Sequence, residues 1–258
     1  LVTTPHEPNV KEKLDKHKAM VRYTDHLMGR LVAKLDELGI RKKTIIVFTT
    51  DNGTSGGIRG RMNGRLVRGG KAKLTENGPR QPFIVNCPGT VPVGEVTDCL
   101  TDFSDLVPTF CEIAGADLPK GVTLDGHSIA PVIFGEQPDG PREWIMAMGY
   151  GAARLDDKGV RPIKDFTQRV IRDKRFKIHV NDQREVIALY DLANDPGEEK
   201  NLIDSKSAKH TAALKKLKSA LATFPVRDAR PRYDALPPQP WDKKPGPQKP
   251  KRKKRRTR

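Results

Sequence analysis

Residues 44–80 read TIIVFTTDNGTSGGIRGRMNGRLVRGGKAKLTENGPR, an apolar run that breaks into a polar strand end and then into a glycine- and arginine-rich return. Ile45, Ile46, Val47 and Phe48 are continuous, apolar and mostly β-branched, the pattern of a buried strand in a parallel sheet. The run stops at Thr49-Thr50-Asp51-Asn52-Gly53. Open α/β sheets bind ligands at the carboxyl ends of their strands, so a carboxylate and an amide delivered together at such an end suit a cation. The return through Gly69-Gly70-Lys71 brings an ammonium toward the same point, and an anion held between metal and lysine is the simplest chemistry for that set. Asp-Asn-Gly is equally a common turn tripeptide, so the tripeptide alone does not separate a site from a turn.

Upstream, Thr4-Pro5-His6-Glu7-Pro8 carries two prolines that bar regular structure and hold His6 on a loop, after a Leu1–Thr4 fragment that reads as the tail of a strand. From Lys11 to Leu38 apolar residues recur at three- and four-residue steps, which predicts an amphipathic helix ended by Gly39. Downstream, Phe83-Ile84-Val85 predicts another buried strand, and 102–114 a helix with Leu106, Val107, Phe110 and Ile113 inward. Short strand-like runs at 144–148, 168–172 and 176–180 predict a small antiparallel sheet. Leu214, Leu217 and Leu221 mark a helix over 207–224 that packs across it.

Charge divides the chain unevenly. The formal net charge is +16, yet residues 243–258 hold ten Lys or Arg and no acid, leaving 38 basic against 32 acidic residues elsewhere. Residues 227–258 are proline-rich and basic and are expected to be a disordered tail. Cys87, Cys99 and Cys111 are odd in number and widely spaced, which indicates neither a zinc knuckle nor a disulfide framework. No apolar run approaches transmembrane length.

The succession VRYTDHLMGRLVAKLDELGI, TIIVFTTDNG, GGKAKLTENGPRQPFIVNCPG and TDFSDLVPTFCEIAGA resembles the sulfatase family of the alkaline phosphatase superfamily up to about Leu202. Leu189-Tyr190-Asp191-Leu192, then Asp195-Pro196, Glu199 and Asn201-Leu202, resembles the family's closing segment, and Asp125-Gly126-His127-Ser128 its Asp-Gly-x-Ser loop. The resemblance implies an α/β fold: residues 1–135 are the back half of an alkaline-phosphatase-like mixed or parallel sheet domain, and 136–226 a small α+β subdomain with an antiparallel sheet. It implies Asp51 and Asn52 as ligands of one Ca²⁺, and Lys71 and His6 as catalytic residues lying side by side, with Lys73 a second candidate amine. Zinc phosphohydrolases of the superfamily tend to carry histidine where Asn52 stands, and amide and carboxylate oxygens favour calcium over zinc.

Ala72 stands where the family's Gly-Lys-Gly has its second glycine, and an ordinary backbone is expected there. Asn77 replaces a glycine, which it can do in a left-handed conformation. Tyr23, Asp25, Glu76 and Arg80 are expected to serve packing and buttressing. Arg59, Arg61, Arg65 and Arg68 read either as a solvated basic surface or as a substrate-binding rim for a polyanion, and His127 as a pocket-edge residue or a surface one. The Cys/Ser-x-Pro-x-Arg motif that yields the family's formylglycine does not occur in these 258 residues, which therefore read as a C-terminal portion, inactive alone, of a periplasmic or secreted enzyme. The expected substrate is a sulfated small molecule or polysaccharide. A phosphodiesterase or phosphonate hydrolase of the same superfamily and a non-catalytic polyanion-binding protein are the alternatives. Ten cations in 243–258 should bind sulfated glycans or nucleic acid nonspecifically, with steep salt dependence. Deleting them should shorten retention on heparin, and unchanged retention would show a merely solvated end.

Overall fold

A computed structural model of the chain describes residues 2–149, 153–156 and 159–228. Helix α1 spans Lys13–Glu37 and is closed at Leu38, followed by Gly39 at φ +67°. Strand β1, Ile46–Thr49, pairs antiparallel with β4, Phe83–Asn86, and between them a hairpin joins β2, Arg59–Met62, to β3, Arg65–Arg68. Helix α2, Leu106–Ala114, follows a capping box in which Asp102 accepts the Ser104 amide and Asp105 accepts the Asp102 amide. The short α3, Ala130–Ile133, leads to β5, Ile145–Met148. A hairpin of β6, Ala153–Asp156, and β7, Gly159–Pro162, precedes β8, Arg169–Arg172, β9, Phe176–Val180, and β10, Val186–Asp191. Helix α4, Ala208–Thr223, ends the regular structure.

The four-stranded sheet has the order β10-β9-β8-β5 and is antiparallel throughout. Its core is where the expected leucine stripe of α4 lands: Ala213, Leu217, Ala220 and Leu221 pack with Ile171, Phe176, Ile178, Val180 and Leu189. Arg169 closes the far end, its guanidinium 3.8 Å from the Phe166 ring centroid and its Nη2 donating to Asp228 Oδ1 at 2.5 Å. A desolvated guanidinium over an aromatic face is attracted to the ring quadrupole.

Four expectations change here. The 45–48 run forms an antiparallel ladder with β4 rather than a parallel one, and β1 and β4 are half-buried, with Ile84 at 56% exposure. Among the described residues only this pair makes up the ladder, so one side of its apolar surface stays open. The 1–4 fragment forms no strand beyond a single Thr4–Glu7 bridge across the Pro5-His6 turn. Helix α1 buries only Ala19, and its apolar stripe is largely exposed at Val21, Leu27 and Leu31. Helix α2 turns Pro108 and Thr109 inward beside Asp105 and leaves Val107 and Phe110 out, because hydrogen bonds fix that face: Thr109 Oγ1 donates to Asp105 O at 2.6 Å and accepts from Ile129 N at 3.0 Å. The expected basic tail, 227–258, lies outside the described residues beyond 228.

Leu217→Ala should therefore cost about 2–5 kcal/mol in urea unfolding, the usual range for a truncated core leucine, whereas Phe110→Ala should change stability little. Equal losses would put Phe110, not Thr109, on the buried face.

Candidate active site

The end of β1 and the 69–80 loop are joined backbone to backbone. Gly53 N–H donates to the Gly78 carbonyl at 2.7 Å, and Lys71 N–H donates to the Thr54 carbonyl at 3.0 Å. Such close approach requires glycine, since a Cβ on Gly53 would lie 1.9 Å from the Asn77 carbonyl oxygen and one on Gly78 2.0 Å from that of Lys73. Asp51, Asn52 and Lys71 are thereby gathered at one strand end, with Asp51 and Lys71 exposed and Asn52 half-buried. Two oxygen donors are fewer than the six to eight that calcium takes, so Asp51 and Asn52 alone do not make up a calcium shell. Among the described residues no group of three or more His, Cys, Asp or Glu could hold a metal.

The arginine segment is an ordered hairpin rather than a loop. Asn63 at φ +51° and Gly64 at φ +77° make its two-residue turn, and Asn-Gly between strands is the turn chemistry that favours it. Arg59 stands opposite Arg68 and Met62 opposite Arg65. Arg68 Nε donates to Gly56 O at 2.8 Å, and Arg61 Nη1 to Gly64 O at 3.0 Å, so two guanidinium groups brace loops while keeping further N–H donors outward. Arg59, Arg61 and Arg68 are exposed and Arg65 half-buried.

Two backbone expectations reverse. Ala72 sits at φ +68°, in the left-handed region where a Cβ is strained, and so occupies a glycine-like conformation without being glycine. Asn77 is not left-handed; its side chain instead donates to the Arg68 carbonyl at 2.9 Å, tying the loop to β3.

Behind the loop lies a buried ionic cluster. Lys177 is fully buried on β9, with Nζ 2.9 Å from Glu198 Oε1 and 3.2 Å from Glu76 Oε1. Glu198 Oε1 also accepts the Glu76 main-chain N–H at 2.6 Å, its Oε2 meets His179 Nε2 at 2.7 Å, and Arg172 Nη1 pairs with Glu76 Oε2. Burial pushes the Glu198 carboxyl up, but the His179 hydrogen bond and the Lys177 charge outweigh it and hold the group below the usual range. Glu76 is thus a buttress, as its place in the sequence suggested; Lys177 and Glu198 were missed. In the closing segment the glutamate whose side chain is buried is Glu198, not the Glu199 that the resemblance marks. The signal available was a lysine inside the apolar run Phe176–Val180.

The remaining candidates have partners of their own. The His6 ring packs edge-on against α1, 5.0 Å from Tyr23 and 4.4 Å from His26 between centroids. His127 is exposed, and its main-chain N–H donates at 2.7 Å to Asp105, a fully buried carboxylate that Arg142 also engages at 2.7 Å.

Comparison with known proteins places this geometry in context. The sulfatase family matches residues 3–116, and the N-sulphoglucosamine sulphohydrolase C-terminal family matches residues 70–226. Steryl-sulfatase from Mus musculus is 31% identical over 247 residues, covering 86% of this chain and 39% of that protein. Arylsulfatase A from Homo sapiens is 32% identical over 209 residues, covering 75% of this chain and 40% of that protein. The chain thus spans about two fifths of the length of these relatives. The structure of BT4656 in complex with its substrate D-glucosamine-2-N,6-O-disulfate superposes with a TM-score of 0.59 at 26% identity, covering 83% of this chain and 42% of that one.

Relieving the left-handed alanine gives a direct check on the loop. Ala72→Gly should stabilise by about 1 kcal/mol, the scale of a left-handed penalty, and Gly53→Ala should destabilise by more, both read from urea unfolding. A destabilising Ala72→Gly would refute the left-handed backbone.

Proposed function

The chain belongs to the sulfatase family, and from that premise we propose that it is the C-terminal portion of an enzyme that hydrolyses a sulfate ester, R–O–SO₃⁻ and water giving R–OH and hydrogen sulfate. The observation that carries this reading is the pair of backbone hydrogen bonds, Gly53 to Gly78 and Lys71 to Thr54, which hold Lys71 against the Asp51-Asn52 strand end. A carboxylate, an amide and an ammonium borne on these joined segments suit a sulfuryl group, whose charge is spread over its terminal oxygens.

In this reading Asp51 and Asn52 hold Ca²⁺ together with ligands from outside the 258 residues. A bound Ca²⁺ supplies positive charge that orients the sulfuryl oxygens and stabilises them as the S–O bond breaks. Lys71 donates hydrogen bonds to the same oxygens, and a preorganised cation aimed at developing charge contributes without reorganising. The bridging oxygen leaves as an alkoxide and takes a proton from a nearby acid, a role for which Lys71 and His6 are the candidates. The family's nucleophile, a formylglycine made from Cys or Ser, has no motif in this sequence, so the 258 residues alone are expected to turn over no sulfate ester.

A sulfated sugar is the proposed substrate class. Support comes from the disulfated glucosamine bound by BT4656 and from the four arginines of the β2–β3 hairpin, whose planar forks match sulfate and carboxylate oxygens. His127 is a further rim residue in this reading. Such a substrate suits an exported enzyme, periplasmic or secreted; no described helix is long and apolar enough to cross a membrane.

In the complete protein, Lys71→Ala should lower kcat on 4-nitrophenyl sulfate by roughly 10²–10³, the scale for losing one preorganised stabiliser of transition-state charge. Asp51→Ala should recover part of its activity in excess Ca²⁺, and Lys71→Ala should not. Near-normal kcat for Lys71→Ala, or a preference for aryl phosphate over aryl sulfate, would overturn the assignment.

A further inference from the structure

We propose that Glu198 and Lys177 are positioning residues, through which the four-stranded sheet sets the placement of the Lys71 loop. The inference rests on the reading of Lys71 as a catalytic residue and adds to it the device that aims the loop.

The 69–80 loop is held on two sides. On one, the backbone bonds to Gly53 and Thr54 fasten it to β1. On the other, the one buried side chain of the segment is that of Glu76, and its partners belong to residues about a hundred positions later. Glu198 Oε1 takes the Glu76 main-chain N–H at 2.6 Å, so the carboxylate grips the loop's backbone directly. Lys177 Nζ then bridges the two carboxylates at 2.9 Å and 3.2 Å from inside the sheet.

Stability alone is a poor reason for this arrangement. Burying a lysine and two glutamates costs several kcal/mol per ion, and well-packed apolar side chains of similar size commonly do as well or better. Glu198 itself sits at φ +57°, a left-handed conformation that a glutamate adopts only where its surroundings fix it. What the cluster gains is direction: charge-assisted bonds of defined length set where residue 76 lies, and Lys71 is five residues away on the same tight loop. A displacement of about 1 Å at a catalytic group can cost on the order of 10² in rate.

The test uses the complete protein. Glu198→Ala leaves Lys177 buried without its closer partner and could unfold, so the charge-balanced Lys177→Met/Glu198→Ala variant and the conservative Glu198→Gln, which keeps an acceptor for the Glu76 N–H, are made beside it. The double variant should keep a cooperative thermal transition, speed amide exchange of residues 71–78 by tenfold or more, and lower kcat by about 10- to 100-fold with KM nearly unchanged. Glu198→Gln should retain most of the activity. Combined with Lys71→Ala, the double variant should cost less than about twofold further, because the loop then has nothing to aim. Unchanged loop exchange, or an equal loss of kcat with and without Lys71, would overturn the proposal. If Lys71→Ala leaves kcat intact, the catalytic reading of Lys71 fails, and the exchange measurement alone still decides whether Glu198 and Lys177 position the loop.

Discussion

A lysine with no exposed surface must have its charge met inside the protein, and Lys177 has two carboxylates to meet it. One belongs to the loop after β3 and the other to the segment after β10, so this single requirement stitches sequence-distant parts of the chain into one body. Removing either carboxylate would leave a buried positive charge in excess, which is far more costly than never having had the pair. Arg172 and His179 extend the cluster on the neighbouring strand and on β9 itself. The cluster therefore ties the loop carrying Glu76 to the strands that pack beneath α4.

Glycine supplies the complementary constraint. Where the ionic cluster fixes the loop from behind, the missing side chains of Gly53 and Gly78 let its backbone lie directly on the end of β1. Neither constraint alone would locate Lys71. Together they fasten the backbone of a flexible-looking return to the segment that follows β1.

Much of this was legible in the sequence, and the parts that were not share a cause. Helices α1 and α4 and the strands β5, β8 and β9 follow from apolar periodicity, because each is defined by local pattern. Asp51, Asn52 and Lys71 could be singled out because strand ends and glycine-rich returns are local signals too. The face of α2 differs from its apolar stripe because buried Asp105 accepts the Asp102 amide and buried Thr109 accepts the Ile129 amide, and apolar periodicity says nothing of those. The β2–β3 hairpin was written in Asn63-Gly64, a turn signal overlooked among many glycines and arginines. Lys177 is marked only by its place inside an apolar run and Glu198 by nothing local, because their meaning lies in each other, across 21 positions and a strand crossing. The left-handed backbone of Ala72 contradicts what its side chain would choose, and a conformation imposed by the fold is beyond local reasoning.

The central claim is that the end of β1 and the Lys71 loop form one sulfate-binding site. A crystal structure of the complete protein, soaked with Ca²⁺ and a non-hydrolysable sulfamate analogue, tests it most directly. The account predicts Asp51 and Asn52 oxygens in the cation's shell and Lys71 Nζ within hydrogen-bond distance of a sulfuryl oxygen. A sulfamate seated away from Lys71, with the cation bound elsewhere, would contradict it.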